Sequence, residues 1–176
     1  MMRVLVTLLC VGVSILLLLR FPWLLPCVLA ALALGALILT WSRRVRISPR
    51  DGVERLLRRY GRRPTDFEHY VAEIYRRMGY RVQVTKRTGD SGRDIEMRRD
   101  GRLYVVEVKL YSPGERVGRE KLQKLQGAMI DADAHGAVFV TTSGFTRTAV
   151  DYAARNGIEL VDGTALEELI RAVLSA

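Results

Sequence analysis

The first 42 residues constrain this chain most, because they are almost free of charge. Val4–Leu19 is a run of 16 residues without a charged side chain, Arg20 interrupts it, and Phe21–Ser42 adds 22 more. A helix needs roughly 20 apolar residues to cross about 30 Å of hydrocarbon. Phe21–Ser42 meets that length. Val4–Leu19 is shorter, but Arg3 and Arg20 can snorkel from its ends. Between the runs, Pro22 breaks a helix and Trp23 suits the headgroup layer. The expectation is a transmembrane helical hairpin within residues 1–42, with helices at about 4–20 and 24–41. Arg43, Arg44, Arg46 and Arg50 follow it, so the positive-inside rule puts both ends in the cytoplasm. That describes a multi-pass protein of the cytoplasmic membrane with the lipid bilayer as a partner. A signal peptide followed by one helix is the alternative.

The formal net charge is +9, and its location matters more than its size. Residues 43–63 carry nine arginines against Asp51 and Glu54, whereas residues 64–176 carry 17 basic and 17 acidic side chains. The excess therefore belongs to a basic juxtamembrane linker, residues 43–65, and by itself says little about nucleic acid. Residues 76–124 hold 14 basic and 7 acidic side chains, which suits phosphate binding and equally a solvated surface. Cys10 and Cys27 both sit in apolar runs, which excludes a zinc set of the usual spacing and a disulfide framework.

Beyond the linker, a short helix is expected over Gly52–Tyr60. Thr65 or Asp66 should cap a second helix, whose stripe Phe67, Val71, Ile74, Tyr75 and Met78 recurs at helical spacing and ends at Gly79. Strands are expected at Tyr80–Lys86, Asp94–Arg98, Arg102–Tyr111, Gly136–Thr142 and Ile158–Val161. Helices are expected at Arg119–Ala132 (Leu122, Leu125, Met129 and Ile130 inward), Arg147–Asn156 and Leu166–Leu174. This order indicates an α/β sandwich with a mixed sheet.

Asp100-Gly101 reads as a two-residue hairpin turn. Paired residue numbers then sum to 201, which sets Asp94 opposite Glu107. Alternation puts Lys109 on the same face, with Val108 and Leu110 turned to the core. Carboxylates facing across a strand pair, with Cβ atoms about 5 Å apart, repel unless something compensates. A divalent cation would compensate, since Mg²⁺ takes one or two carboxylates, waters and a substrate phosphate. A polar hairpin face, with Lys109 pairing Glu107 or Asp94, is the simpler alternative; Glu96 shares that face without a role.

The motifs Asp66-Phe67-Glu68, Met78-Gly79-Tyr80, Gly89-Asp90-Ser91-Gly92-Arg93-Asp94, Glu107-Val108-Lys109, Thr141-Thr142-Ser143-Gly144-Phe145-Thr146 and Leu160-Val161-Asp162-Gly163 occur in that order. The series resembles the Mrr-type restriction endonuclease domain of the PD-(D/E)xK nuclease superfamily, over roughly Asp66 to Leu174. The resemblance implies a restriction-endonuclease-like three-layer sandwich in residues 66–176, Mg²⁺- or Mn²⁺-dependent cleavage of DNA, and DNA and a second copy of the chain (a homodimer) as partners. It maps Asp94 and Glu107 to metal ligands, Lys109 to the catalytic lysine, and Glu68 to a further acid of the site. Many Mrr-type members carry Gln where this chain has Glu107. The proline of the superfamily's name is replaced by Arg93.

Other residues stay open between two roles. Asp90 is either an acid supporting the site or a turn residue. Gln123 and Gln126 either face the site or lie on a solvated helix face. Thr141, Thr142, Ser143 and Thr146 either hold a DNA phosphate at a helix N-terminus or cap that helix. His69 and His135 are expected at the surface. The function expected is a membrane-anchored, metal-dependent endodeoxyribonuclease. The alternatives are a non-catalytic DNA-binding module and an assembly module at the cytoplasmic membrane face.

Overall fold

The computed structural model describes residues 26–34, 45–85 and 92–175. The chain divides into two compact units, residues 1–44 and Val45–Ala176.

The membrane expectation is overturned. Among the described residues, no helix is long and apolar enough to cross a membrane. The helix described in the first unit covers residues 26–34. The rest of the expected hairpin lies outside the described residues. The multi-pass cytoplasmic-membrane localisation and the bilayer partner rested on spanning helices and fall with them.

In the second unit the order is α1 (Val53–Tyr60), α2 (Pro64–Arg77), β1 (Arg81–Val84), β2 (Ile95–Arg99), β3 (Arg102–Lys109), β4 (Arg116–Val117), α3 (Arg119–Asp131), β5 (Gly136–Thr141), β6 (Gly144–Phe145), α4 (Arg147–Asn156), β7 (Ile158–Val161) and α5 (Gly163–Ser175). The main sheet runs β1-β2-β3-β5-β7. Its first three strands are antiparallel, and β3, β5 and β7 are parallel. The mixed sheet expected from the sequence is present.

Alternation along the strands builds the layers. Ile95, Met97, Val106, Val108, Val138 and Val140 pack with α1, α2 and α5 on one face. Val105, Ala137, Phe139 and Ile158 pack with α3 and α4 on the other. The Asp100-Gly101 turn has φ of 51° and 78°, the two positive values a tight hairpin turn requires. The pairing that follows, Ile95↔Val106 through Arg99↔Arg102, has the predicted register.

Local details differ from the sequence expectation. Pro64, rather than Thr65 or Asp66, opens α2, with Arg63 at the N-cap and no side-chain cap. Proline suits that first position because its missing N–H would be unpaired there anyway. Ile130 is 67 % exposed, since the inward stripe of α3 runs through Leu122, Leu125 and Ala128. The two-residue strands β4 and β6 pair with each other where no strand was expected.

The segment read as a linker joins the core. Ile47, Leu56 and Tyr60 are buried, and the rings of Tyr60, Phe67 and Tyr70 cluster with centroids 5.5–6.2 Å apart. Asp51 is 5 % exposed. Its Oδ2 accepts the Tyr70 hydroxyl at 3.0 Å and the Ser48 N–H at 2.9 Å. Burial holds the Tyr70 phenol well above its ordinary value, and the Asp51 charge adds to this. Burial, with Glu159 adding, raises Tyr75 as well. The Tyr75 hydroxyl has no hydrogen-bond partner among the described residues.

These two tyrosines should behave differently in urea unfolding. Tyr70→Phe removes a hydrogen bond to a buried carboxylate and should cost about 1.5–3 kcal/mol. Tyr75→Phe removes an unpaired hydroxyl and should be neutral or slightly stabilising. A phenol whose folded pKa is raised stabilises the fold fully below its unfolded value of about 10 and loses that contribution as pH climbs above it. Stability should therefore fall above about pH 10, less steeply in Tyr75→Phe.

Candidate active site

β3 is the central strand, covered by helices on both faces. Its apolar residues alternate into the two cores as far as Val108, and Glu107 and Lys109 are the charged residues of its C-terminal half. They share the α3/α4 face, next to Phe139 and Thr141 of β5. Lys109 Nζ lies 2.5 Å from Glu107 Oε1 and 3.5 Å from Asp94 Oδ2. The three residues that the hairpin arithmetic grouped are thus together.

Asp94 does not extend the ladder as a regular partner of Glu107. Its N–H donates to the Val106 carbonyl at 2.8 Å, and the Val108 N–H donates to its Oδ2 at 2.8 Å. The side chain takes a backbone donor at the sheet edge, which aims the carboxylate across β3. Thr85 fixes the backbone behind it. Its N–H donates to the Asp94 carbonyl at 2.9 Å, and its hydroxyl lies 2.9 Å from the Arg93 carbonyl and 3.0 Å from that of Asp94. No sequence motif singled out Thr85, because its partners are carbonyls that any residue could supply. Glu96, which had no expected role, pairs with Arg93 at 2.8 Å.

The electrostatics follow from crowding. Burial raises the Glu107 pKa and the Asp94 charge raises it further, against the opposing pull of Lys109. Burial alone would lower the Lys109 ammonium, but Glu107 and then Asp94 outweigh it and hold the group above its ordinary value. Lys109, with a further contribution from Lys124, offsets the repulsion between the two carboxylates.

The other expected site residues are placed as follows. Glu68 lies on α2 and is 4 % exposed. No group of three His, Cys, Asp or Glu side chains that could hold a metal occurs among the described residues, so Glu68 does not join Asp94 and Glu107 in such a set. Thr142 is buried, and its hydroxyl both donates to the Tyr111 carbonyl at 2.7 Å and accepts the Tyr111 N–H at 2.9 Å. Ser143 is buried against Thr141, their hydroxyls 3.2 Å apart. Thr146 caps α4, accepting the Ala149 N–H at 3.2 Å. Gln126 accepts the Tyr152 hydroxyl and donates to Asn156 Oδ1 at 2.5 Å, so both ends of its amide tie α3 to α4. Gln123 is exposed, and Asp90 lies outside the described residues. His135 is exposed, its ring edge-on to Tyr104.

Comparison with known proteins bears on this arrangement. The restriction endonuclease model of the Mrr catalytic domain matches residues 60–170. The chain belongs to the Mrr-type restriction endonuclease family. It is 38% identical over 115 residues to the type IV methyl-directed restriction enzyme EcoKMrr of Escherichia coli (strain K12), a match covering 61% of this chain and 38% of that protein. The chain therefore spans less than half the length of that relative. Among solved structures, the DNA modification-dependent restriction endonuclease AspBHI has a TM-score of 0.58 at 22% identity, covering 68% of this chain and 34% of that one. MspJI, solved in complex with a 27-mer oligonucleotide, has a TM-score of 0.55 at 20% identity, covering 70% and 31%. These two likenesses are of fold.

Two substitutions check the local roles. Thr142→Val strips Tyr111 of both backbone partners and should lower stability by about 1–3 kcal/mol in urea unfolding. Thr85→Val removes the hydroxyl contacts to the Arg93 and Asp94 carbonyls and should cost about 1 kcal/mol. Amide exchange at Val108 should accelerate in Thr85→Val, because the Asp94 carboxylate that accepts its N–H is then less firmly held.

Proposed function

We infer that this Mrr-type domain hydrolyses DNA phosphodiester bonds in a reaction that depends on Mg²⁺ or Mn²⁺. The observation that carries this reading is the convergence of Asp94, Glu107 and Lys109 at the end of β3, with Lys109 Nζ within 3.5 Å of both carboxylates. The donor chemistry fits a small hard cation. Mg²⁺ commonly takes one or two protein carboxylates and completes its shell with water and phosphate oxygens, and here two carboxylates lie together beside Lys109. Zn²⁺ would call for three or four nitrogen, sulfur or carboxylate ligands, and no group of three is present among the described residues.

Asp94 and Glu107 would hold the cation, which supplies charge neutralisation at the scissile phosphate. The Val108 N–H keeps the Asp94 carboxylate turned towards β3. Glu107 is mostly buried, so its charge is poorly screened and acts strongly on anything placed beside it. Lys109 would turn from the carboxylates to the phosphate. From there its ammonium orients the attacking water and stabilises negative charge developing on the non-bridging oxygens. Water adds to phosphorus, the bond to one sugar oxygen breaks, and that oxygen takes up a proton.

The test is incubation of the purified chain with supercoiled plasmid, methylated and unmethylated, in Mg²⁺ or Mn²⁺. Nicked or linear product should form and should vanish with EDTA. Asp94→Asn and Lys109→Ala should each lower the rate by at least about 100-fold, as expected for loss of a metal ligand or of transition-state charge stabilisation. Intact plasmid under every condition, or cleavage unchanged in both variants, would overturn the assignment.

A further inference from the structure

Away from Asp94, Glu107 and Lys109, arginines gather before and along α1. Arg46, Arg55, Arg58 and Arg59 line an open cleft of about 430 Å³ together with Ser48 and Asp51. A neighbouring cleft shares Arg55 and Arg58 and adds Arg50 and Glu167. The acid inside the first cleft is already engaged, because Asp51 Oδ2 accepts Tyr70 and the Ser48 N–H. Arg58 makes a long, exposed pair with Glu54 at 3.6 Å. Arg59 donates to the Arg46 carbonyl at 3.3 Å and lies over the Tyr60 ring. Arg46 and Arg55 have no carboxylate partner among the described residues. Four guanidinium groups around one concavity form a receptor for a phosphate-type anion.

The position of the cleft says which phosphate. Gly163 at the start of α5 lets three elements close up: a Cβ there would stand 2.7 Å from the Thr142 carbonyl and 3.0 Å from Val53 Cγ2. Thr142 in turn donates its N–H to the Lys109 carbonyl at 3.3 Å. The start of α1 is therefore linked to the last residue of β3 through Gly163 and Thr142, at the same C-terminal edge of the parallel strands as Lys109. The α1 arginines also lie before Tyr60, outside the span matched by the Mrr family model, so this feature is additional to the matched domain.

We propose that the Arg46–Arg55–Arg58–Arg59 cleft binds a backbone phosphate of the same DNA whose scissile phosphate lies at Asp94, Glu107 and Lys109, and so sets the duplex across the C-terminal edge of the sheet. The proposal rests on the nuclease reading for the identity of its ligand. A phosphate contact of this kind positions the duplex without reading sequence.

The test is fluorescence anisotropy with the full chain and a labelled 30-base-pair duplex, in EDTA so that binding is read without turnover. The variant is Arg46→Gln/Arg55→Gln, chosen because both side chains are exposed and hold no carboxylate partner that the fold needs. Duplex affinity should fall by roughly tenfold and the slope of log K against log salt by about one. In a cleavage assay, KM should rise while kcat at saturating DNA stays unchanged. The control is Arg98→Gln/Arg102→Gln, which removes the same charge at the β2–β3 hairpin, the opposite end of β3. It should change the affinity by less than about twofold, as a bulk-charge effect alone.

Equal losses in the two double variants would overturn the proposal, since the effect would then be net charge. Unchanged affinity and slope in Arg46→Gln/Arg55→Gln would overturn it while leaving plasmid cleavage, and thus the nuclease reading, intact. Loss of binding to phosphatidylglycerol vesicles with duplex binding retained would also overturn it. Cleft-dependent duplex binding without any cleavage would support the cleft and sink the nuclease reading instead.

Discussion

β3 is paired on both edges and covered on both faces, and that confinement governs the rest of the domain. A strand in the middle of a mixed sheet can carry charge only where its covering helices end. Val105, Val106 and Val108 fill the two cores, and Glu107 and Lys109 emerge on one face at the C-terminal half. The parallel pairing with β5 and β7 then stacks the loop ends of three strands along one edge. Charges that would destabilise the middle of the sheet are tolerated there because they neutralise one another and meet solvent on one side.

The site is an electrostatic compromise. Burial and the neighbouring Asp94 work against ionised Glu107, while both carboxylates hold Lys109 charged. The two carboxylates repel each other unless cations hold them, and Lys109 and Lys124 supply that charge. A polar surface hairpin has no reason to gather two carboxylates at the end of its most buried strand. Thr85 and the Val108 N–H hold the geometry with short contacts to groups every residue has. They preorganise Asp94 without leaving a signature in the sequence.

The threonines and serine after β5 illustrate how one residue type serves different ends. Their hydroxyls at a strand-to-helix junction suit anion binding in principle. In this fold Thr142 staples the exit of β3 to that of β5, Ser143 packs on Thr141, and Thr146 caps α4. Gln126 is likewise committed to Tyr152 and Asn156. In α1 and the residues before it, by contrast, Arg46 and Arg55 have no carboxylate partner among the described residues. That segment read as a linker because of its arginines, yet its Ile47, Leu56 and Tyr60 pack into the core. Amphipathic arginine-rich helices hide their few apolar residues from composition arguments, because three well-spaced anchors are enough to dock a short helix.

Much of this domain was legible without coordinates. The Asp100-Gly101 turn fixed the register of β2 and β3, since only a two-residue turn with positive φ at both positions closes that hairpin. Alternation then placed Glu107 and Lys109 on one face, and the ordered motifs carried the family. The apolar N-terminal runs misled, because a charge-free stretch states only that a span is possible, whereas no helix among the described residues is long and apolar enough to cross a membrane. What tertiary structure alone decided was which polar groups are already spent. Asp94 leaves the ladder for the Val108 N–H, Thr142 is consumed by Tyr111, and Asp51 is consumed by Tyr70, while Arg46 and Arg55 keep their charge available. Hydrogen bonds between residues 14 to 31 positions apart depend on where separate elements pack, and no local pattern in the sequence encodes that distance.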